Sequence, residues 1–244
     1  MARCSCDSGG MGTQSNRCAE CDVRDMGLCG AADRDDLSAL SSIGRRRALA
    51  AGQVLTWAGD DNVLCANVVS GILKVTASTA NGREQIVGLV FAGDFVGQLF
   101  EETSSLTVTA LVDSDLCVYP RERFERVMAE AASIERMLLR RTLASLNDAR
   151  ERMLTLGKRG AQERVAGFLL DLVDRTAVRM ADGSISIDVP VSRGDMADFL
   201  GLTIETVSRQ LTRLKVLGAI TLARGGRSIL ITDRAALEPL ANPE

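Results

Sequence analysis

The segment from Arg121 to Leu156 contains neither proline nor glycine, so nothing in its sequence interrupts a helix. Within it, apolar or small residues recur at alternating spacings of three and four, and these are Leu139, Thr142, Leu146, Ala149, Met153 and Leu156. This spacing is typical of the seam of a coiled coil. Charged neighbours such as Arg140 and Arg141 keep the strip narrow. The pattern therefore favours a symmetric dimer through a helix over 132–157, rather than a helix that lies on its own domain.

The region before this helix is rich in short β-type pieces. Between about Arg45 and Val118, pieces such as "ILKVTAST" and "EQIVGLVF" alternate with turn signals that include Asn81-Gly82. Many short strands at such spacing predict an antiparallel sandwich or barrel. We therefore predict an α+β chain with a cysteine-rich segment over 1–30, a strand-rich domain over 31–131 and a C-terminal domain over 158–244.

Composition removes several classes of function. The 244 residues include no histidine, which excludes a Ser-His or Cys-His nucleophile pair, a His-ligated zinc and a His-ligated haem within this chain. We find no nucleophile–base pair and no phosphate-cradling loop, so an enzyme is not expected. No stretch approaches the roughly 18 apolar residues of a membrane span. Because the N-terminus also lacks the apolar core of a signal sequence, we expect a cytoplasmic protein with reduced thiols.

The C-terminal segment "VSRGDMADFLGLTIETVSRQLTRLKVLGAITLARGGRSILITD" predicts two short helices followed by a hairpin. Ser192 and Thr203 each stand where a helix cap is expected, and Gly201 separates the two helices. The inward residues of the second helix are Val207, Leu211 and Leu214, and the outward ones are Glu205, Thr206, Ser208, Arg209, Thr212 and Arg213. This arrangement is a helix-turn-helix, which places its second helix in the major groove of DNA, with Arg224 and Arg227 in an adjoining wing.

The outward side chains of the second helix suit the edges of bases. Arg209 can donate a bidentate pair to guanine, Glu205 can accept from N4 of cytosine, and Ser208 can meet a thymine edge or a phosphate. One such module binds weakly, and a dimer presents a second half-site about 34 Å away. The helix pair and the dimer seam thus predict the same function, which is the recognition of a double-stranded DNA operator.

With these motifs in place, the chain resembles the CRP/FNR family of bacterial transcription regulators over essentially its whole length. The resemblance implies an N-terminal antiparallel β-roll, a jelly roll of the cyclic-nucleotide-binding type, followed by a long dimerisation helix and a C-terminal winged helix-turn-helix. In "GLTIETVSR", Glu205, Ser208 and Arg209 are similar to the "E-x-x-S-R" of the FNR branch. This implies a homodimer on a TTGAT-N4-ATCAA-like palindrome, with RNA polymerase as a partner that contacts the surface near Asn81–Glu84.

Cyclic nucleotide binding, common in this family, is not expected here. A buried phosphate must be met by charge-assisted donors such as an arginine, and an acid is needed on the ribose. In "FVGQLFEETSSLTVTALV", Gln98 stands where the acid belongs. No arginine occurs between Arg83 and Arg121.

Cysteines crowd the start of the chain as Cys18-x2-Cys21-x7-Cys29. Residues 1–30 show no periodicity, so we expect a loop held by a ligand rather than by a core. Three soft ligands need a fourth to close a tetrahedral or cubane site, and Cys117 is the candidate. The layout resembles the oxygen-sensing FNR group, which implies a [4Fe-4S] cluster on these four cysteines and oxygen-responsive control of anaerobic or microaerobic genes. Zinc or thiol redox chemistry on the same scaffold is the alternative, since four thiolates also suit Zn²⁺.

The sequence also supports separate predictions for several other residues. Leu28 fits either a hydrophobic lid over the cluster or simple loop packing. Cys65 is expected to be a small buried hydrophobe, and Cys4 and Cys6 to lie in a tail. Ala149 stands at a seam position where some family members carry a carboxylate. The resemblance therefore implies that the cluster-free protein retains more dimer than those members do.

Overall fold

The computed structural model describes residues 18, 21–176, 178–179, 185–188, 191–222 and 228–242. After a short 3-10 helix at Leu28–Ala31, the helices are α1 (Arg34–Ile43), α2 (Arg121–Glu130), α3 (Ala132–Lys158), α4 (Ala161–Thr176), α5 (Arg193–Leu200), α6 (Ile204–Val216) and α7 (Arg234–Ala241). The strands are β1 (Arg45–Leu49), β2 (Val54–Thr56), β3 (Leu64–Ser70), β4 (Ile72–Ser78), β5 (Glu84–Phe91), β6 (Phe95–Val96), β7 (Thr107–Ala110), β8 (Ser114–Pro120), β9 (Val178–Arg179), β10 (Ile185–Asp188), β11 (Ile220–Leu222) and β12 (Ser228–Ile231). Over these ranges, none of the helices has the length and apolar character needed to cross a membrane.

The strand-rich region folds into two antiparallel sheets. One has the strand order β1-β8-β3-β6 and the other β2-β7-β4-β5. Alternate side chains of both sheets enter a common core, which contains Leu49, Leu55, Ala66, Val68, Leu73, Val96, Val108, Ala110 and Leu116. Gly71 joins β3 to β4 at a φ of +89°, and a Cβ there would lie 2.6 Å from Cα of Ser114, so this turn requires glycine. The predicted antiparallel β-roll is confirmed.

The predicted uninterrupted helix after Pro120 is wrong at one residue. Ala131 has a φ of −110° and a ψ of 80°, and it separates α2 from α3. Met128 of α2, Ala131 itself and Ile134 of α3 all enter one buried core cluster around the break. No proline or glycine in the sequence marks this break.

The C-terminal part is a helix-turn-helix packed on α4 and on a four-stranded sheet of order β11-β12-β10-β9. Its core is formed by buried residues that include Val165, Leu169, Leu172, Met196, Leu200, Val207, Leu211, Leu214, Ile220, Ile231 and Leu237. The predicted hairpin is the antiparallel pair β11–β12. Arg224 and Arg227, predicted to lie in the wing, are outside the described residues.

Helix α5 docks on the β-roll. Nζ of Lys74 in β4 lies 2.6 Å from Oδ1 of Asp195 in α5, and Nε2 of Gln85 donates to the carbonyl of Asp198. The guanidinium of Arg152 in α3 lies 4.2 Å from the centre of the Phe199 ring. The helix-turn-helix is thus held against both the roll and the long helix.

Candidate cysteine site and DNA-binding helix

Cys117 lies within β8, between two neighbouring strands. Its cross-strand partners are Arg46 of β1 and Asn67 of β3. Directly opposed residues of an antiparallel pair share a face, and Tyr119, two residues along, shares it too. Leu116 points into the roll core instead. Strand register therefore places these four side chains together on the outer face of the sheet.

The cysteine-bearing segment before α1 is anchored by its own apolar residues. Val23 is buried, and Leu28 is wholly buried at 0% exposure. The cluster around Leu28 includes Leu40, Cys65, Tyr119, Phe124, Met128 and Ile134. The prediction that something other than a core holds this segment is therefore wrong for residues 21–30, whereas the contribution of a ligand stays a prediction. Leu28 does not line the cysteine cavity, which agrees with the loop-packing interpretation.

The four predicted site cysteines meet at one cavity. Its volume is about 50 Å³, and the thiols in its wall are those of Cys18, Cys21, Cys29 and Cys117. Arg24 and Arg46 line the same cavity. In the part of the chain that the structure describes, no three cysteine or acidic side chains are arranged to hold one metal ion.

Two polar side chains contact these thiols. Nδ2 of Asn67 donates to Sγ of Cys29 at 3.7 Å and to the hydroxyl of Tyr119 at 3.4 Å. The Tyr119 hydroxyl lies 3.8 Å from Sγ of Cys29. Asn67 and Tyr119 are both buried. The loop cysteine is thus joined to strands β3 and β8 through one buried amide and one buried hydroxyl.

Burial controls the charge of these thiols. It raises the pKa of the Cys29 thiol to about 11, the hydrogen bond with Tyr119 opposes this rise, and the other three site thiols add to it. Burial also raises the pKa of the Cys117 thiol, although the hydrogen bond with Tyr119 and the charge of Arg46 lower it in part. Both thiols are therefore protonated at neutral pH without a metal, and coordination would release their protons.

The residues around the cavity fit an iron–sulfur cluster. Four thiols are the donor set of a [4Fe-4S] cluster, and two arginines offset the negative charge that four thiolates bring. Nε of Arg24 and Oδ1 of Asn67 are buried without a hydrogen-bond partner. A polar or charged group bound in this cavity is therefore favoured, because it would supply partners for buried polar atoms. At Gly44, a Cβ would lie 3.2 Å from Sγ of Cys117. Glycine there leaves the thiol accessible from the cavity.

Arg141 of α3 ties the cysteine segment to the long helix. Its guanidinium donates to the carbonyl of Met26, and to the carbonyl of Gly93 at 2.9 Å. It also lies 3.8 Å from Oδ1 of Asp94. The 3-10 helix packs on α3 close by. One side chain of the predicted dimerisation helix therefore contacts both the cysteine segment and the roll.

An apolar strip on α3 is open to solvent. The exposed large apolar side chains of this helix are Leu139, Leu143, Leu146, Met153 and Leu154. Of the predicted seam, Thr142 and Ala149 are also exposed. Leu156 is half-buried, because its Cδ2 lies against Gly201. Leu143 and Leu154 are strip residues that the strict heptad spacing missed.

The helix-turn-helix has the predicted caps. Oγ of Ser192 accepts from the backbone N–H of Asp195 at 3.0 Å, and Thr203 caps α6 by accepting from Thr206. Gly201 ends α5 with a φ of +60°, the left-handed conformation that favours glycine. The backbone N–H of Glu205 itself, and then the Thr203 side chain, lower the pKa of the Glu205 carboxyl by hydrogen bonding. The cap geometry therefore sets where the polar face of α6 begins.

The predicted DNA-contacting residues share the open face of α6. Glu205, Arg209 and Arg213 are exposed, whereas Thr206 and Ser208 are half-buried. Oγ of Ser208 accepts from Arg193 at 3.2 Å. The inward residues Val207, Leu211 and Leu214 are buried, as is Gln210, which sequence reasoning missed. The predicted inward and outward faces of this helix therefore agree with the structure.

Comparisons with known proteins agree with this arrangement. The model of the Crp-like helix-turn-helix domain matches residues 163–240, and that of the cyclic nucleotide-binding domain matches residues 46–131. The chain is 40% identical to the transcriptional activator protein FnrL of Cereibacter sphaeroides over 91% of this chain and 90% of that protein. It is 34% identical to the nitrogen fixation regulation protein FixK of Bradyrhizobium diazoefficiens, over 92% of this chain and 93% of that protein. The chain belongs to the CRP/FNR family.

A solved structure shows the same likeness. The structure of FixK2 from Bradyrhizobium japonicum matches with a TM-score of 0.74 and 30% identity, covering 81% of this chain and 97% of that one. As a CRP/FNR member, the chain is a DNA-binding transcription regulator. The predicted family and fold class are confirmed.

The β-roll of this CRP/FNR protein encloses a second cavity, of about 190 Å³. Its wall is largely apolar, and its polar members are Thr56, Asn62, Gln98 and Ser104. No charged side chain lines it within the fully described range 46–131. Oε1 of Gln98 accepts from the backbone N–H of Ser105 at 2.7 Å, so this amide holds its own loop. A phosphate in this cavity would meet no cationic side chain.

Sequence reasoning missed the residues that surround the thiols. Asn67 and Arg46 reach the cavity only through strand register, which a single sequence does not reveal. Tyr119 had a usable signal, because residue i+2 on a strand shares a face with residue i. Arg24 lies between two predicted ligands and could have been found from that position alone.

Proposed function

We propose that this CRP/FNR regulator responds to oxygen through a [4Fe-4S] cluster held by Cys18, Cys21, Cys29 and Cys117. One observation carries the proposal, namely that these four thiols from an N-terminal segment and from β8 line the same cavity. Four thiols are the donor set of an iron–sulfur cluster and also suit zinc, so the metal content of the protein distinguishes the two.

The protein contributes charge and burial to this site. When bound, the cluster would supply an oxygen-labile iron–sulfur centre. Arg24 and Arg46 lie at the cavity and offset the charge of the thiolates. Leu28 secures the segment between the ligands by its complete burial. Occupation of the cavity would therefore stabilise the loop that these residues hold.

A conformational change in the cysteine segment would be transmitted to the dimer interface through α3. Arg141 donates to the carbonyl of Met26 within the segment, and the neighbouring residue Arg140 is exposed. A shift of the segment therefore changes a contact made by α3 itself. The apolar strip beginning at Leu139 lies on this helix and would pack against its copy in a partner chain.

The dimer would place two copies of α6 on a TTGAT-N4-ATCAA-like palindrome. Arg209 and Glu205 are exposed and have the chemistry to read guanine and cytosine edges, respectively. The β4–β5 turn near Asn81–Glu84 is exposed and is the proposed RNA polymerase contact. The uncharged roll cavity gives no reason to invoke a cyclic nucleotide as the effector.

The seam also bears on the cluster-free protein. Ala149 is exposed on α3 and carries no charge that would oppose its counterpart in a partner chain. We therefore expect cluster-free protein to retain dimer. Sedimentation of that form as a clean monomer at micromolar concentration would contradict this part of the proposal.

Anaerobic metal analysis tests the central claim. Wild-type protein, Cys117→Ala and Cys65→Ala are purified without air, and their iron, sulfide and zinc contents are measured. Cys65 is the matched control, because it is a buried thiol that does not line the cavity. We expect about four iron and four sulfide per chain in wild type and in Cys65→Ala, and a loss of both in Cys117→Ala.

Operator binding before and after exposure to air completes the test. We expect the anaerobic protein to bind a labelled TTGAT-N4-ATCAA duplex and to lose affinity as its iron is lost. Zinc-loaded, iron-free protein would instead support a thiol- or zinc-dependent regulator. Iron-free protein with unchanged, air-insensitive binding would refute the oxygen-sensing proposal.

A further inference from the structure

The buried pair Asn67–Tyr119 is the polar feature of the cysteine cavity that the proposed function does not use. Asn67 is 5% exposed and Tyr119 is 2% exposed. Each contacts Cys29 through its polar group. We propose that Asn67 and Tyr119 are positioning residues that donate hydrogen bonds to the Cys29 thiolate and set the reduction potential of the cluster. This inference rests on the proposed function.

Donor chemistry determines the direction of these bonds. A metal-bound thiolate has no proton and can only accept, so the hydroxyl of Tyr119 must donate to sulfur. The amide Nδ2 of Asn67 has two N–H groups, one directed at Sγ of Cys29 and one at the Tyr119 oxygen. The amide of Asn67 therefore donates to the oxygen of Tyr119, and the O–H of Tyr119 remains free to donate to a thiolate.

Packing and register hold the pair in place. Asn67 is opposite Cys117 and Tyr119 is opposite Cys65 in the β3–β8 ladder. The Tyr119 ring lies 5.3 Å from the ring of Phe124, centre to centre. The Tyr119 ring cannot turn away from the thiols without breaking this packing. Oδ1 of Asn67 is buried without a hydrogen-bond partner, which is unfavourable in a core. This unpaired atom indicates that the cavity accommodates a bound group.

Hydrogen bonds to cysteine sulfur are a known determinant of iron–sulfur potentials. A donor stabilises negative charge on sulfur, and the reduced cluster carries more negative charge than the oxidised one. Loss of the donors should therefore lower the midpoint potential. More electron density on sulfur should also make the cluster more sensitive to oxygen.

The test compares Tyr119→Phe, Asn67→Leu and the double variant with wild type after anaerobic cluster reconstitution. Tyr119→Phe removes only the hydroxyl and keeps the ring beside Phe124. Ser42→Ala is the matched control, because the Ser42 hydroxyl donates to the carbonyl of Ala39 outside the cavity. Iron and sulfide content, midpoint potential, the Fe–S stretching frequencies in resonance Raman spectra and the rate of bleaching in air are measured.

We expect Tyr119→Phe to retain full iron and sulfide, to show a lower midpoint potential and shifted Fe–S stretches, and to bleach about tenfold faster. Asn67→Leu should shift the same quantities in the same direction, and Ser42→Ala should leave them unchanged. If the two residues act as one relay, the effect of the double variant will be smaller than the sum of the single effects.

The outcomes separate this inference from the proposed function. Full cluster content with unchanged potential, spectra and bleaching in both single variants would overturn the role of the pair and leave the cluster assignment intact. Wild-type protein that takes up no iron would overturn both proposals. Should Tyr119→Phe fold poorly, Asn67→Leu alone decides, because it leaves the tyrosine ring in its core cluster.

Discussion

The cysteine cavity and the recognition helix α6 are assembled over very different distances along the chain. The predicted DNA-contacting residues lie between Glu205 and Arg213 on one helix, so their relative positions follow from helical geometry. The cavity joins a segment near Cys29 to Cys117 of β8 and to Asn67 of β3. A local site can be altered one residue at a time, whereas a non-local site also depends on the core that brings its parts together.

Leu28→Ala should show this dependence most strongly. Leu28 is wholly buried in the cluster that joins the cysteine segment to α2 and α3. We expect a loss of about 2–5 kcal/mol in the free energy of unfolding, together with weaker retention of iron. Chemical denaturation followed by iron analysis measures both quantities.

Met26→Ala is the control for Leu28→Ala, since Met26 lies in the same segment at 55% exposure. Its effect should stay within about 0.5 kcal/mol. Equal effects of the two substitutions would show that burial of Leu28 does not anchor the site.

Arg141→Met should weaken the connection between the two regions. It removes charge-assisted hydrogen bonds to the carbonyls of Met26 and Gly93, at an expected cost of about 1.5–3 kcal/mol in the free energy of unfolding. Operator affinity should fall while anaerobic iron content remains. Titration of a labelled duplex and iron analysis check this. Arg140→Met, at the exposed neighbour, should change neither, and an equal response of both variants would refute the coupling role.

Arg209→Ala should affect only the local site. Loss of a bidentate contact to guanine should cost about 1–3 kcal/mol in operator binding at each half-site. Stability and iron content should not change, because Arg209 is exposed. Duplex titrations with wild-type and guanine-substituted operators measure the loss. If Arg209→Ala discriminates between these operators as well as wild type does, Arg209 does not read that base.

The smallest effect is expected where the two domains meet. Burial raises the pKa of Asp195, but hydrogen bonds from Lys74 and Ser192 outweigh it and hold the pKa below its usual value. A lowered folded-state pKa gives stability that is present above the unfolded value of about 3.9 and is lost as pH falls through the folded value. Lys74→Met should remove about 0.2–1 kcal/mol of this stability.

Unfolding free energies of wild type and Lys74→Met, measured from about pH 6 to about pH 3, test this contact. The difference between the two proteins should shrink as the pH falls. Lys158→Met, at an exposed lysine on α3, should show no such convergence. A difference independent of pH would mean that the Asp195 charge does not stabilise the contact.

The recognition helix shows how much a sequence can reveal when the determining interactions are local. Ser192, Gly201 and Thr203 mark the helix ends, and the structure has caps at each of them. The sequence pattern also predicted an antiparallel roll of short strands, because alternation and turns are local features, but it did not show which strands pair. The break at Ala131 was not predicted, since no proline or glycine marks it and Ala131 lies in a core assembled from distant parts of the chain.

The sequence by itself determined the protein's chemical resources, which are four suitably placed thiols, no histidine, a helical seam and a capped helix pair. Only the tertiary structure decided that Cys117 faces out of β8 beside Arg46, Asn67 and Tyr119, and that Arg141 contacts the cysteine segment. The physical reason is that strand register and helix docking are set by burial of apolar side chains far apart in the chain. No local pattern specifies those contacts.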